Sequence, residues 1–241
     1  MITVIIPTYN EEKNIEKCLQ SFQSQTIPRE SFEIVIVDGS SKDKTCEIAA
    51  RYADRVILQI SKGVGGARND GAQVAKGEIL VTTDADCLPP EDWLKVIQDN
   101  FRDGVVAATG TLTPIITEDM SDLESFTYKL LFEISNVILR VGSWIGYYHL
   151  CGANSAFDRE AFIKTGGYSD LPYSDDIEIS KRLKPLGKVV FDKDIGLHYS
   201  VRRIKKLGLL KYTFTILRND FEVMILGKKL LKDDYAKQTY N

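Results

Sequence analysis

Ile2-Thr3-Val4-Ile5-Ile6-Pro7-Thr8-Tyr9-Asn10-Glu11 opens the chain with a continuous apolar run that ends in a proline, an aromatic and a carboxylate. A run that is apolar at nearly every position, rather than at alternate ones, is the signature of a strand covered on both faces, and such strands belong to parallel sheets. Three more runs follow at Ile34 to Val37, Val56 to Ile60 and Ile79 to Thr83. Ile15, Cys18, Leu19 and Phe22 recur at helical spacing behind Thr8 and Glu11, which have the spacing of a capping box. Ser40 and Ser41 are placed to open a second helix, and a third is expected from about Ala67 to Ala75. The order is βαβαβαβ, which predicts a single α/β domain with a Rossmann-like, mostly parallel central sheet flanked by helices.

The alternation weakens after residue 110. The sequence there predicts an apolar helix over Leu123 to Val141, turns at Gly152-Ala153-Asn154 and Gly166-Gly167-Tyr168, and a helix opened by Ser174-Asp175-Asp176-Ile177-Glu178. A short apolar run, Val189 to Phe191, and His198 come next, then a basic-flanked helical tail over Leu207 to Leu231. Two halves, 1–110 and 111–200, and a tail, 201–241, are the expected organisation.

Composition supports one packed domain: 241 residues, 44% of them hydrophobic and 27% charged. The net charge of −3 averages an acidic body with Arg202, Arg203, Lys205, Lys206 and Lys211, so nucleic acid is not the expected partner. Cys18, Cys46, Cys87 and Cys151 are scattered without Cys-x-x-Cys spacing, which argues against zinc or a disulfide framework and for a reducing compartment. Residues 2–6 read as a strand where a signal peptide would need its own apolar core, so a cytoplasmic location is expected. Charged residues interrupt both long apolar stretches. Spanning is not expected, and the tail is read either as packing against the domain or as making peripheral contact with the cytoplasmic face of a membrane.

In open α/β sheets ligands bind outside the carboxyl ends of the strands. The four ends here carry Pro7 to Glu11, Asp38-Gly39-Ser40-Ser41, Lys62 to Gly66 and Asp84-Ala85-Asp86. Asp84 and Asp86, two apart at a strand end, suit a hard divalent cation, magnesium or manganese, bridging a diphosphate. Gly63, Gly65 and Gly66 ahead of a helix that carries Arg68 suit a diphosphate at a helix N-terminus. Gly-x-Gly-x-x-Gly fails because position 68 is arginine, and no Walker-type loop occurs, so dehydrogenases and P-loop enzymes are not supported.

Asp175 can cap its helix and Glu178 can close a capping box, but Asp176, in the first helical turn, fits a carboxylate held ionised to accept a proton. His198 and Arg202 are placed to close on the metal and the diphosphate, whereas His149 is assigned an ordinary structural role. The aromatics and apolars of 123 to 150, among them Phe126, Leu130, Ile134 and Trp144, are assigned to the core, and some of them to an acceptor groove.

Taken in order, these motifs resemble the inverting family-2 glycosyltransferases with the GT-A fold, across roughly residues 1–200. The resemblance implies a nucleotide-sugar-binding half, 1–110, and an acceptor and catalytic half, 111–200. It implies that Pro7 and Tyr9 lie by the base, that Glu11 reaches the ribose, and that Asp38 contacts the base or ribose. It also implies that Gly66 and Arg68 organise the nucleotide, that Asp84 contacts it, and that Asp86 is the metal ligand, joined by His198. Gly152-Ala153-Asn154 matches a turn beside the acceptor. Asp175-Asp176 stands where relatives carry Glu-Asp, which makes Asp176 the implied base, with Asp175 beside it. Thr215-Ile216-Leu217-Arg218-Asn219 replaces the Gln-x-x-Arg-Trp of processive relatives, which implies transfer of a single sugar.

The implied reaction is metal-dependent inverting transfer from a UDP- or GDP-sugar to a glycan, lipid or protein acceptor in cell-surface glycan, polysaccharide or glycolipid synthesis. The rival is a non-catalytic subunit that binds a nucleotide sugar or assists assembly at a membrane.

Overall fold

The computed structural model describes residues 1–170 and 175–221, without the side chains of 210, 216, 217 and 219–221. Strands β1 (Ile2–Thr8), β2 (Phe32–Asp38), β3 (Arg55–Leu58) and β4 (Ile79–Thr82) are linked by helices α1 (Ile15–Ser21), α2 (Thr45–Ala49) and α3 (Gly63–Val74). Then come α4 (Trp93–Asn100), β5 (Val105–Pro114), the long α5 (Asp122–Trp144), β6 (Ser155–Asp158), α6 (Arg159–Lys164), α7 (Asp175–Leu183) and β7 (Lys188–Tyr199). Helices α8 (Arg202–Leu207) and α9 (Leu209–Phe221) end the described part. The strand order is β3-β2-β1-β4-β6-β5-β7.

β1 pairs in parallel with β2 and β4, and β2 with β3, so the carboxyl ends of all four share one edge. β6 runs antiparallel between β4 and β5, and β7 returns parallel to β5. The sheet is mostly parallel, as expected.

Alternation along β1 explains the two-layer core. Val4 and Ile6 meet Ile15, Leu19, Phe22 and Trp93 on one face. Ile5 meets Ala67, Ala72, Leu80 and Phe157 on the other. β2 is buried at every position, which is why it reads as an unbroken apolar run. β3 lies at the sheet edge and is only half covered, so Ile60 just beyond it is 90% exposed rather than buried.

Several local expectations are corrected. Thr8 and Glu11 form no capping box: Thr8 is the last residue of β1 and donates its hydroxyl to Asp38, and α1 begins only at Ile15. Ser40 and Ser41 do not open α2, which starts at Thr45, because Ser41 is bound to Asp38. The glycines expected ahead of the third helix form its first turn. Glu178 pairs with Arg182 and accepts from the Ser169 hydroxyl.

Helix α5 departs furthest from expectation. Tyr128 and Phe132 are buried, but Phe126, Leu130, Ile134 and Trp144 are exposed, since the domain covers only one side of this helix. Of the tail, Val201 and Ile204 pack against Tyr128 and Phe132. Residues 222–241, and Ser174, lie outside the described residues.

Candidate active site

The ends of β1 and β2 are stitched together before any ligand arrives. Asp38, 4% exposed, accepts from the Thr8 hydroxyl at 3.1 Å and from the Ser41 amide and hydroxyl at 2.8 and 2.6 Å. Asn10 and Ser40 both take left-handed backbone (φ 53 and 71). They place the Asn10 amide 2.8 Å from the Ser41 oxygen and the Lys42 amide 2.9 Å from the Asn10 side chain. Asp38 is thus the organiser of this cradle. Pro7 and Tyr9 lie half-buried on its rim beside Gly39.

Each residue of Gly65-Gly66-Ala67-Arg68-Asn69-Asp70 has its own task. Asp70 accepts from the Ile60 and Ser61 amides at 2.6 and 2.8 Å and fixes the loop into α3, and Gly66 packs on Ser61. Asn69 exchanges two hydrogen bonds of 2.8 Å with the Tyr168 backbone, pinning the Gly166-Gly167 turn to the first half. Ala67 enters the core. Arg68, 5% exposed, donates to Asp84 at 2.9 Å and stacks 5.5 Å over the Tyr168 ring. Glycine is required at two contacts. A Cβ on Gly152 would stand 2.2 Å from the Arg68 guanidinium, and one on Gly65 2.6 Å from Asp175.

Asp86 lies two residues beyond Asp84 and faces the opposite partner. Arg202 at the start of α8 contacts it at 3.2 Å and Glu11 at 2.5 Å. Burial, and then the charge of Asp84, raise the Asp86 carboxyl above its usual range, against the pull of Arg202. The buried Cys18 thiol is raised as well, first by burial and then by Asp86, Asp84 and Glu11. The negative charges of Asp84 and Glu11 act on Asp86 at this strand end, and Arg202 is the cation that meets Asp86 and Glu11 there.

Asp175 and Asp176 open α7. Burial first, then Asp176, raise Asp175, while Arg68 opposes the shift. Asp176 is less buried and meets the His149 ring nitrogen at 2.6 Å. His149 is the residue that sequence reading missed: its partner is 27 residues away, and no local pattern marks it. Asn154, expected near the acceptor, is fully buried and structural. It accepts from Trp93 and donates to the Thr111 and Ile195 carbonyls.

Arg68 therefore holds Asp84, and Arg202 gathers Glu11 and Asp86. His198, within β7, is exposed and bridges through its backbone to Leu88, next to Asp86. Among the described residues no three acidic, histidine or cysteine side chains are close enough to hold a metal by themselves.

A mostly parallel sheet with acidic strand ends, an arginine-bearing helix start and a second acidic pair nearby makes an α/β domain whose candidate site lies at the carboxyl ends of its parallel strands. The glycosyl transferase family 2 model matches residues 3–166, and the chain belongs to that family. It is 40% identical over 100 residues to the glycosyltransferase AglE of Haloferax volcanii, covering 39% of this chain and 33% of that protein.

Among solved structures it resembles Staphylococcus aureus TarS in complex with UDP-GlcNAc (TM-score 0.65, 20% identity, 83% of this chain and 58% of that one). It also resembles the mannosyltransferase PcManGT of Pyrobaculum calidifontis in complex with GDP-Man and Mn2+ (TM-score 0.62, 26% identity, 90% and 64%). The fold is the GT-A fold these likenesses share. The chain spans about a third of the length of its relative AglE.

Proposed function

We propose that the protein is an inverting glycosyltransferase that moves a single sugar from a UDP- or GDP-sugar to an acceptor hydroxyl in the synthesis of a cell-surface glycan, polysaccharide or glycolipid. One observation carries this reading: α3 touches both acidic groups, since its Arg68 pairs with Asp84, at the donor edge of the sheet, at 2.9 Å and its Gly65 lies against Asp175 at the start of α7. The groups for leaving-group binding and for proton removal thereby share one cleft. The likenesses to proteins bound to UDP-GlcNAc and to GDP-Man support a nucleotide-sugar donor.

In this reaction the acceptor oxygen attacks the anomeric carbon on the face away from the diphosphate. The new C–O bond forms as the bond to phosphate breaks, the electron pair leaves with the diphosphate, and Asp176 takes the hydroxyl proton. A single displacement inverts the anomeric configuration. His149, 2.6 Å from Asp176, holds that carboxylate in place. Pro7, Tyr9, Glu11 and Asp38 shape the base and ribose site, and Gly66 lets the start of α3 approach the loop beside it.

The carboxylates at the end of β4 fit a divalent cation, because Arg202 is the one cation paired with Asp86 and Glu11 among the described residues. Asp86 would hold magnesium or manganese, with His198 from the neighbouring rim, and the cation would neutralise charge on the departing diphosphate. The Mn2+ in PcManGT supports this assignment. Four free cysteines support a reducing, cytoplasmic compartment, which cell fractionation would check.

Replacing Asp176 with asparagine is expected to lower transfer by roughly 10²- to 10⁴-fold while leaving donor affinity within about twofold. Parallel loss of donor binding and turnover would reject Asp176 as the base. Absence of any nucleotide-dependent rise in the unfolding midpoint of the wild type, with manganese present, would reject the transferase reading itself.

A further inference from the structure

The outer face of α5 takes no part in the site described above. Leu123, Phe126, Leu130, Ile134, Ile138 and Val141 recur every three or four residues and are 46–74% exposed. At 100° per residue they form one stripe, which Trp144 and Ile145 extend at 72% and 82% exposure. The stripe is about 33 Å long at 1.5 Å per residue. It is not a core face that lost its partner, because α5 has a separate inner face: Tyr128 and Phe132 are buried against Val201 and Ile204. A contiguous apolar surface of this length on a folded domain marks an interaction site.

Charge identifies the occupant. Helices α8 and α9, which pack against α5, carry six cations (Arg202, Arg203, Lys205, Lys206, Lys211 and Arg218) against one acid, Asp220. That is a formal balance of +5 in a chain whose total is −3, within which Arg202 faces Glu11 and Asp86 and Lys205 faces Asp119. Lys206 and Lys211 are exposed, and so is Phe214 between the basic positions. At the stripe's end the Arg140 guanidinium lies 5.6 Å over the Trp144 ring, an apolar body with a polar tip of the kind that suits the boundary between hydrocarbon and water. No helix among the described residues is long and apolar enough to cross a membrane.

We propose that α5, flanked by α8 and α9, docks the protein on an anionic lipid bilayer, with α5 lying in the plane of the surface. Face-to-face pairing of two copies would bring two +5 segments together, whereas anionic lipid complements both the stripe and its basic neighbours. Taken with the proposed transferase activity, docking sets the cleft beside the membrane, because His149 follows Trp144 by a short connection. Docking does not depend on that activity, and vesicle binding is measured without donor or acceptor.

Trp144 supplies the probe, since the second tryptophan, Trp93, is fully buried. The full chain is mixed with vesicles of phosphatidylcholine alone or of phosphatidylcholine with phosphatidylglycerol. Co-sedimentation is expected with the anionic vesicles, together with a blue shift of Trp144 emission and its quenching by brominated acyl chains. Ile134→Asp with Ile138→Asp should weaken partitioning roughly tenfold or more, and Lys206→Glu with Lys211→Glu should remove the preference for anionic lipid.

These positions are exposed, so an unchanged unfolding midpoint confirms that the variants are folded. A wild type that ignores both vesicle types overturns the proposal. So does a wild type that sediments as a dimer and becomes a monomer in the Ile134→Asp, Ile138→Asp variant, which would make the stripe an interface between copies.

Discussion

Two arginines hold the two ends of Asp84-Ala85-Asp86, and they do so in opposite ways. Arg68 reaches Asp84 from α3 with its side chain 6% exposed, over a tyrosine ring and against a glycine that leaves room for nothing else. Arg202 reaches Asp86 from α8 with its side chain 54% exposed, and Glu11 shares it. A buried cation paired with a largely covered acid is part of the fold, and its removal strands charge in a low dielectric. An exposed cation on a carboxylate cluster is a loose counterion that a ligand can replace. The same tripeptide thus presents one aspartate to the scaffold and the other to the cleft.

The largest effect expected from this contrast is in Arg68→Ala. Asp84 loses its ion-pair partner and the Tyr168 ring its stacked guanidinium, so denaturant unfolding should show a loss of about 3 kcal/mol. A loss below about 1 kcal/mol would break the contrast, since Arg68 would then behave as a surface residue. Gly152→Ala tests the same contact from the other side. Its methyl group would displace the guanidinium and should cost about 1–3 kcal/mol.

A smaller effect, visible only against pH, is expected at Asp175. Its carboxyl is pushed up to about 7 by burial and by Asp176, so in the acid range above its unfolded value the folded state holds a proton that the unfolded chain has released. Stability from this group is therefore full in acid and falls as pH rises from the usual carboxylate range to about 7. Asp175→Asn, which never ionises, should remove that fall and be more stable than the wild type by about 2 kcal/mol at mildly alkaline pH, with the two converging in acid. Thermal melts across pH check the sign. A variant less stable than wild type at every pH would mean that Asp175 serves Arg68 as a charged partner and is not a buried acid kept neutral.

Much of residues 1–110 was legible in the sequence. β1, β2 and β4 are buried on both faces, and double burial leaves an unbroken apolar run. Asp38, Asp84 and Asp86 were singled out by their position at strand ends, and Arg68 by the glycine-rich helix start. Local hydrogen-bond partners were not legible. Thr8 carries a capping-box signature, but its hydroxyl faces Asp38 across a strand pair, and the tertiary bond wins. His149 meets Asp176 because the segment after α5 runs beside α7, where Lys184 donates to the Gly146 carbonyl. Apolar residues occur on both faces of α5, so nothing local distinguishes Phe132, which is buried, from Phe126, which is exposed.

The smallest effect is expected at Arg202, and it sharpens the comparison most. Both its partners are partly solvated and its own side chain is half in water, so Arg202→Ala should change folding stability by no more than about 1 kcal/mol, a small fraction of the effect of Arg68→Ala. Removing it leaves Asp86 and Glu11 without the cation that pairs with both. The variant should then depend more strongly on added manganese, with a larger metal-induced rise in midpoint than the wild type shows. If Arg202→Ala melted as early as Arg68→Ala, Arg202 would be a fixed part of the scaffold. If its response to manganese were unchanged, the guanidinium and the metal would not share the carboxylates at the end of β4.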